Sequence, residues 1–310
     1  MILKRNFNLF RVLGYVRYEC LFAVSIALFC YVLHRYNPSF SLPFSVAAIL
    51  GSALAIFIAF RNNNAYSRWW EARTLWGGIV NSSRVLARLV ITFTDSHQHQ
   101  PQYHAERSRQ FKSDLIMKLI AWVHALRLHL RKQDDWHQLR SYFSEAEFLQ
   151  IQGANNKPNT IHLLTGKSIY QAMADGTLGG FDSFQMEGQL LALANYQGGC
   201  ERIKNTPLLR QYDFFTRLFL YAFIFILPFC CITDLAKMNL DWLSIPVSLF
   251  ISFVFAILGK VGEVNEDPFE NRITDVPLLA LCNTIERDLL DLLGGSELPE
   301  KMEPQNGFLF

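Results

Sequence analysis

Pro43–Trp76 is the stretch that most narrows what this chain can fold into. Its first part, PFSVAAILGSALAIFIAF, runs from Pro43 to Phe60 without a charge. As a helix it spans about 27 Å, roughly the hydrocarbon thickness of a bilayer. Its second part, RNNNAYSRWWEARTLW, turns abruptly polar, yet nothing in Ala65–Trp76 breaks a helix. One helix is therefore expected to leave the membrane and continue into water. Ser52, Ile56 and Phe60 recur every four residues and share a face with Asn63, Asn64 and Ser67. Such a face, small or apolar at membrane depth and amide-rich just outside, suits the lining of an axial pore.

Three more uncharged runs follow the same logic. Cys20–Leu33 is short for a span, but Tyr18 and Tyr36 are placed to lengthen it at the two interfaces. Leu218–Thr233 carries Pro228, which is expected to kink it or end its upper half. Trp242–Gly259 is the fourth. Short loops, His34–Leu42 with its Asn37-Pro38 turn signal and Asp234–Asp241, join the runs into two hairpins. The first run is followed by further spans and has no clear small-residue cleavage site, so it does not read as a cleaved leader. A mix of 51% hydrophobic and 18% charged residues suits a chain that is part membrane and part soluble, and the 26 Phe suit lipid contact and close helix packing.

Charge placement orients the spans. The two short loops carry only Arg35 and Lys237, whereas Lys4, Arg5, Arg11 and Arg17 precede the first span and Arg61, Arg68 and Arg73 follow the second. The positive-inside rule then puts both termini and the large middle region in the cytosol of a multi-pass protein of the inner (plasma) membrane. The net charge of +2 makes no global case for nucleic acid.

The expected organisation is all-α. A basic amphipathic segment lies at the membrane surface over 1–19, followed by a transmembrane hairpin over 20–60. A cytosolic helical region covers 61–212 and a second hairpin 213–260. A cytosolic C-terminal helix region covers 261–296, and a flexible-looking tail 297–310. Within the middle region Phe111, Leu115, Leu119, Trp122, Val123, Leu126 and Leu130 mark one helix face, with Lys112, Lys118, Arg127 and Arg131 elsewhere on the wheel. Asp182 is read as the N-cap of a helix through about Tyr196, with Gln185 at N3. Ser96–Tyr103 and Gly153–Thr160 read as loops. Pro277 opens a last helix with Leu278, Cys282, Ile285, Leu289 and Leu292 on one face, closed by Gly294-Gly295.

No catalytic constellation stands out, neither a GxSxG elbow nor a Walker-type phosphate loop, so no enzyme activity and no cofactor are expected. The six cysteines include no CxxC pair and read as small buried hydrophobes in a reducing compartment. His97, His99 and His104 form a loose polar-loop cluster that reads as solvated rather than metal-binding. The acids Glu263, Glu266, Asp267, Glu270 and Asp275 either bind a hard cation or are solvated and cap helices, and the second reading is preferred because EF-hand spacing is absent. In SRWWEARTLW, Arg68, Trp69, Trp70, Glu71, Arg73 and Trp76 sit where the long helix leaves the bilayer. They read either as interfacial anchors or as a packed junction in which buried Arg–Glu pairs fix the helices.

Several separated blocks resemble the bestrophin family in its bacterial branch. They are FRNNNAYSRWWEARTLWG at Phe60–Gly77, Cys200-Glu201-Arg202-Ile203 with Thr206-Pro207, Glu266-Asp267-Pro268-Phe269, Asp275-Val276-Pro277-Leu278, and Cys282-Asn283-Thr284-Ile285-Glu286. The resemblance covers most of 1–295, least clearly 95–180. It implies a homopentameric ion channel with four transmembrane helices per subunit, a helical cytosolic body and one axial pore. It also implies a narrow apolar neck from the second membrane helix, which falls here on Ser52, Ile56 and Phe60. Ser52 departs from a fully apolar neck and implies a wider or wetter top ring. A second, cytosolic constriction carries over to Phe184. Calcium activation, as in the animal members, is put in doubt by Asn265, Pro268 and Phe269, which interrupt the acids.

Rings of Ile and Phe offer no ligands to replace a hydration shell, so such a neck gates by dewetting rather than selecting by coordination. The amides of Asn62–Asn64 present either oxygen or N–H and do not decide the sign of the ion, while Glu71 near the same face favours cations. The bacterial branch implies monovalent cations such as sodium, the wider family chloride, and cations are preferred here. The expected partners are thus other copies of the chain, monovalent ions and lipid. A different class of reading is a membrane-anchored scaffold that conducts nothing.

Overall fold

The computed structural model describes residues 1–4, 9–96, 98–99, 101, 103–295 and 297–310, with side chains from Val12 onward in the second stretch. Arg5, His97 and the side chain of Arg11, all used in the sequence reading, lie outside the described residues. The described helices are α1 (Leu9–Tyr15), α2 (Arg17–Tyr36), α3 (Phe44–Thr94), α4 (Ala105–Arg131), α5 (Glu145–Gln152), α6 (Lys157–Ala174), α7 (Gly180–Asn205), α8 (Arg210–Lys237), α9 (Ser244–Asn265) and α10 (Leu278–Leu292). Short 3-10 stretches occupy Trp136–Tyr142 and Asp241–Leu243. No strand forms among the described residues, so the fold is all-α. By length and composition, 4 segments can cross a membrane: Arg17–Tyr36, Phe44–Thr94, a part of Gly180–Lys237, and Asp241–Asn265.

The chain separates into two compact units: an apolar one of Lys4–Trp69 and Pro207–Asp267, and a polar one of Met1–Leu3, Trp70–Thr206 and Pro268–Phe310. In the apolar unit α2, α8 and α9 pack on one another. Ala47, Leu54 and Ile58 of α3 join the same core, with Phe223, Ile224 and Leu227. Pro228 does not end its helix, because α8 continues to Lys237. Just beyond it, Leu42 N–H donates to Phe229 O at 3.0 Å and Thr233 Oγ1 donates to Leu42 O at 2.8 Å, tying the first hairpin loop to this turn. The buried side of α9 is a stripe of small residues, Ser244, Ser248, Ser252, Ala256, Gly259 and Gly262. Small residues at steps of three and four let helix backbones approach closely where no water drives association.

The polar unit is built around α4, whose face of Phe111, Leu115, Leu119, Trp122, Val123, Leu126 and Leu130 is buried. Two of the cations read as lying elsewhere on its wheel are buried as well, with Lys118 4% and Arg127 6% exposed. Lys118 Nζ bonds Asp114 at 2.8 Å, Ser168 at 2.9 Å and Glu147 at 2.9 Å, so its charge is neutralised where it lies. Glu147 of α5 and Ser168 of α6, helices the sequence reading did not single out, supply two of these partners. The expected loop Gly153–Thr160 shrinks accordingly: Asn156 caps α6 by accepting from Asn159 N–H at 3.1 Å, and Pro158 sits in its first turn.

The start of α7 also differs. Gly179, not Asp182, is the cap; Asp182 is the third helical residue and its carboxylate accepts from Gly179 N–H at 3.2 Å. The helix runs to Asn205, well beyond Tyr196. In α10 the buried residues are Leu278, Ala280, Cys282, Ile285 and Leu289, but Leu292 is exposed. Gly294, with φ +77°, takes the left-handed conformation that stops the helix. The tail is fastened rather than loose. Leu3 N–H donates to Gly307 O and Leu309 N–H to Met1 O, each at 2.9 Å, and Ala280 N–H donates to Phe310 O at 2.8 Å. Asn283 grips it from α10, donating to Glu300 O at 3.0 Å and accepting from Met302 N–H at 3.1 Å. Cys30, Cys200, Cys230, Cys231 and Cys282 are buried free thiols, and Cys20 is a half-buried one.

Candidate functional site

α3 is a single helix of 51 residues, about 76 Å long. In the apolar unit its two sides differ sharply. Ala47, Leu54, Ile58, Arg61 and Ala65 are buried, while Ser52, Ile56, Phe60, Asn63, Asn64 and Ser67 are exposed. Ile56 is 58% and Phe60 61% exposed, in the range of other apolar residues of the spans such as Ile49 at 71% and Phe250 at 67%. Ser52 Oγ donates to Ala48 O at 2.8 Å, so its hydroxyl proton is turned back onto the helix and the surface it offers is less polar than its residue type.

Asn62 does not share the role of its two neighbours. Its amide donates to Leu258 O at 2.9 Å on α9. Gly262 makes room for that side chain: a Cβ there would meet Asn62 Oδ1 more closely than any real Cβ contact. Of the amide run Asn62–Asn64, the first member thus joins helices and the other two face outward.

The charge that holds this part of α3 is Arg61, 2% exposed. Its Nη2 lies 2.5 Å from Asp213 Oδ1 at the start of α8 and 3.4 Å from Glu266 Oε2 just after α9. Asp213 also pairs with Arg217 one turn on. Burial pushes the Glu266 carboxyl above the usual range, and the facing Arg61 pulls it back down. A buried Arg between two carboxylates is costly to form and more costly to break on one side. One of the two sequence readings of SRWWEARTLW was a junction of buried Arg–Glu pairs; the buried pair found here lies upstream of that block, at the one charge between Phe60 and Asn62.

Within the block the residues part ways. Arg68 pairs with Asp267 at 3.6 Å in the apolar unit, and Trp69 is half-buried there. Trp70 is exposed, Arg73 is half-buried, and Trp76 is wholly buried in the polar unit. Glu71 is exposed and accepts from Arg202 of α7, so the Arg–Glu pair of this block lies in solvent. The acidic segment is not simply solvated either. Besides Glu266 and Asp267, Glu263 accepts from Lys260 at 2.6 Å, Glu270 from Lys204 at 2.6 Å, and Asp275, 2% exposed, from Arg272 N–H at 3.1 Å. Phe184 is 72% exposed on the first turns of α7, and Phe181, three residues before it, is 71% exposed on the same side.

A family profile described as "Bacterial/Fungal Bestrophin protein" matches residues 8–291. The chain is 34% identical over 267 residues to a protein of Escherichia coli K12 named "Voltage-dependent anion channel-forming protein YneE", covering 86% of this chain and 81% of that one. A similarly named protein of Ralstonia nicotianae is 28% identical over 282 residues, covering 91% and 87%. Among solved structures, a bacterial bestrophin homolog from Klebsiella pneumoniae, crystallised as a single-site variant, is similar with TM-score 0.81 and 33% identity, covering 91% of this chain and 98% of that one.

Proposed function

This chain belongs to the bacterial and fungal bestrophin family, a family of membrane ion channels, and from that premise we propose that it forms a homopentameric channel for small monovalent ions in the plasma membrane. The observation that carries the proposal is the two-sided character of α3. One side is committed to its own unit's core, while the other offers a column of small, apolar and amide side chains from Ser52 to Ser67 that a single chain leaves uncovered. Five such helices about one axis stack Ser52, Ile56 and Phe60 into the rings of a neck that gates by dewetting. Asn63, Asn64 and Ser67 then rehydrate the ion at the neck's exit, and Phe184, with Phe181 beside it, forms the cytosolic constriction. Arg68, Trp69, Trp70, Glu71 and Arg73 hold the helix at the membrane surface. Both termini lie in the cytosol, in keeping with the distribution of Lys and Arg.

The ion favoured is a monovalent cation such as sodium. Support comes from the exposed residues of α3 between Ser52 and Thr74, where Glu71 is the charged side chain. A second reading, chloride, is favoured by the names of the relatives, which are called anion channel-forming, and by Arg202, which offsets Glu71. Reversal potentials of purified protein in a planar bilayer under a NaCl gradient separate the two. A shift toward the sodium equilibrium value is expected; a shift toward the chloride value replaces the first reading with the second. Absence of any current from well-folded protein removes both in favour of the non-conducting scaffold.

A further inference from the structure

Arg127 and Arg131 stand one turn apart on α4 and line a cavity of about 320 Å³ within the polar unit. Its polar lining is completed by Gln133, Asn271, Gln305 and the exposed Glu303. Arg127 is only 6% exposed. Its guanidinium donates to Gln138 Oε1 at 2.9 Å and weakly to Gln133 Oε1 at 3.4 Å, both of them neutral amides. The Nε of Arg127 and the Nε of Arg131 are buried without a hydrogen-bond partner, and neither guanidinium has a carboxylate partner among the described residues. Every other buried cation described above has one. Arg61 has Asp213 and Glu266, and Lys118 has Asp114 and Glu147.

A buried guanidinium beside a half-buried one, with Asp275 acting on Arg131 only at longer range and Glu303 exposed at the cavity wall, is incompletely compensated. At Arg131 burial first, and the Arg127 charge second, press the guanidinium down to about 10, with Asp275 opposing them in part. A planar fork of donors matches phosphate or carboxylate oxygens, and two forks one turn apart match an anion carrying at least two charges. The opposite wall is the tail: Phe308 and Phe310 line the same cavity as the arginines.

We propose that this cavity is a binding site for a small multivalent oxyanion, a phosphate-bearing or dicarboxylate metabolite, held by Arg127 and Arg131 and walled by the tail. The site shares no residue with the column on α3 and stands whether or not the chain conducts. Occupancy neutralises the arginine pair and adds contacts that fasten the tail.

Binding is tested on the full chain in detergent by calorimetry and thermal unfolding, with inorganic pyrophosphate and succinate as probes and NaCl of equal ionic strength as control. Saturable binding of at least one probe is expected, with a raised melting temperature and slowed hydrogen exchange over residues 305–310. Tighter pyrophosphate assigns the phosphate class, and tighter succinate the dicarboxylate class. Arg131→Gln should weaken binding at least tenfold while melting no lower than the native chain without probe. Arg127→Lys, which keeps the charge but loses the fork, should weaken it as well. No saturable binding at millimolar probe, or undiminished binding by Arg131→Gln, overturns the proposal.

Discussion

Arg61 shows how much one residue decides in the apolar unit. It joins the start of α8 to the end of α9 through Asp213 and Glu266, and a third contact reaches Gly259 O at 3.5 Å. Arg61→Met removes the cation and leaves buried carboxylate behind, so a loss of about 3 kcal/mol is expected, read as a lower melting temperature in detergent. A melt unchanged within error would show that the pair is not what holds these helix ends. Gly262→Ala belongs to the same scale. Its methyl displaces Asn62 and with it the bond to Leu258 O, at a cost of about 1–3 kcal/mol in the same measurement. Asn62→Ala in that background should add little, because the bond is already gone. In the polar unit, the hydrogen bond from His124 Nε2 at 3.0 Å holds the Glu286 carboxyl below the usual carboxylate range, against burial, with Tyr142 O–H adding a second bond. A lowered acid pKa stabilises the fold fully above the unfolded value of about 4.3 and loses that effect as pH falls through the lower folded value. The melting temperature should therefore drop on acidification below about pH 4.5, and Glu286→Gln should lower it at pH 7 while flattening that drop. An equally steep drop in the variant would assign the acid sensitivity to other carboxylates.

At the scale of the element, α3 is one helix serving two environments. Its inward residues are small or aliphatic in the apolar unit and become Ala72, Trp76 and Ile79 in the polar unit, while its outward residues change from Ile and Phe to Asn, Ser and Glu. The outward column is the part proposed to throttle permeation. Replacing Ile56 and Phe60 together with Ala removes apolar bulk from the proposed neck and should raise single-channel conductance several-fold. Since both side chains are more than half exposed, the double variant should melt close to the native chain. Unchanged conductance in a folded variant would mean that these rings do not line the path. α9 complements this element with its stripe of Ser, Ala and Gly, in which Ser248 Oγ donates to Ser244 O at 2.5 Å, turning that hydroxyl back onto its own helix.

At the scale of the whole molecule, the pore proposed on α3 needs several copies of the chain. One copy leaves Ile56, Phe60, Phe181 and Phe184 exposed, and a single helix encloses no channel. Native mass measurement of the detergent-solubilised protein should give five copies. A monomer or dimer as the stable species would remove the axial pore and leave the scaffold reading. The fastening of the first three residues to the tail makes a related point. Residues far apart in the chain share one compact unit, whereas the tail read on its own is polar and contains Pro and Gly.

What was legible from residues alone is what repeats along a helix or spans a bilayer. The four apolar runs, the continuous course of α3, the buried face of α4 and the start of α10 at Pro277 all follow from local hydrophobic period and local stop signals. The same period put Ser52, Ile56, Phe60, Asn63, Asn64 and Ser67 on one face of α3. Tertiary structure alone decided which charges are buried and with whom. Lys118 is one more polar position on α4 until Glu147 of α5 and Ser168 of α6 meet it, and Arg127, on the opposite side of the helix, until Gln133 and Gln138 do. Arg61 looks like a flank charge until Asp213 and Glu266, each more than 150 positions away, close around it. Asn62 is indistinguishable from Asn63 and Asn64 until Gly262 admits it. Period is written within a few consecutive residues; neutralising a charge depends on partners brought together only by folding, and no local pattern records them.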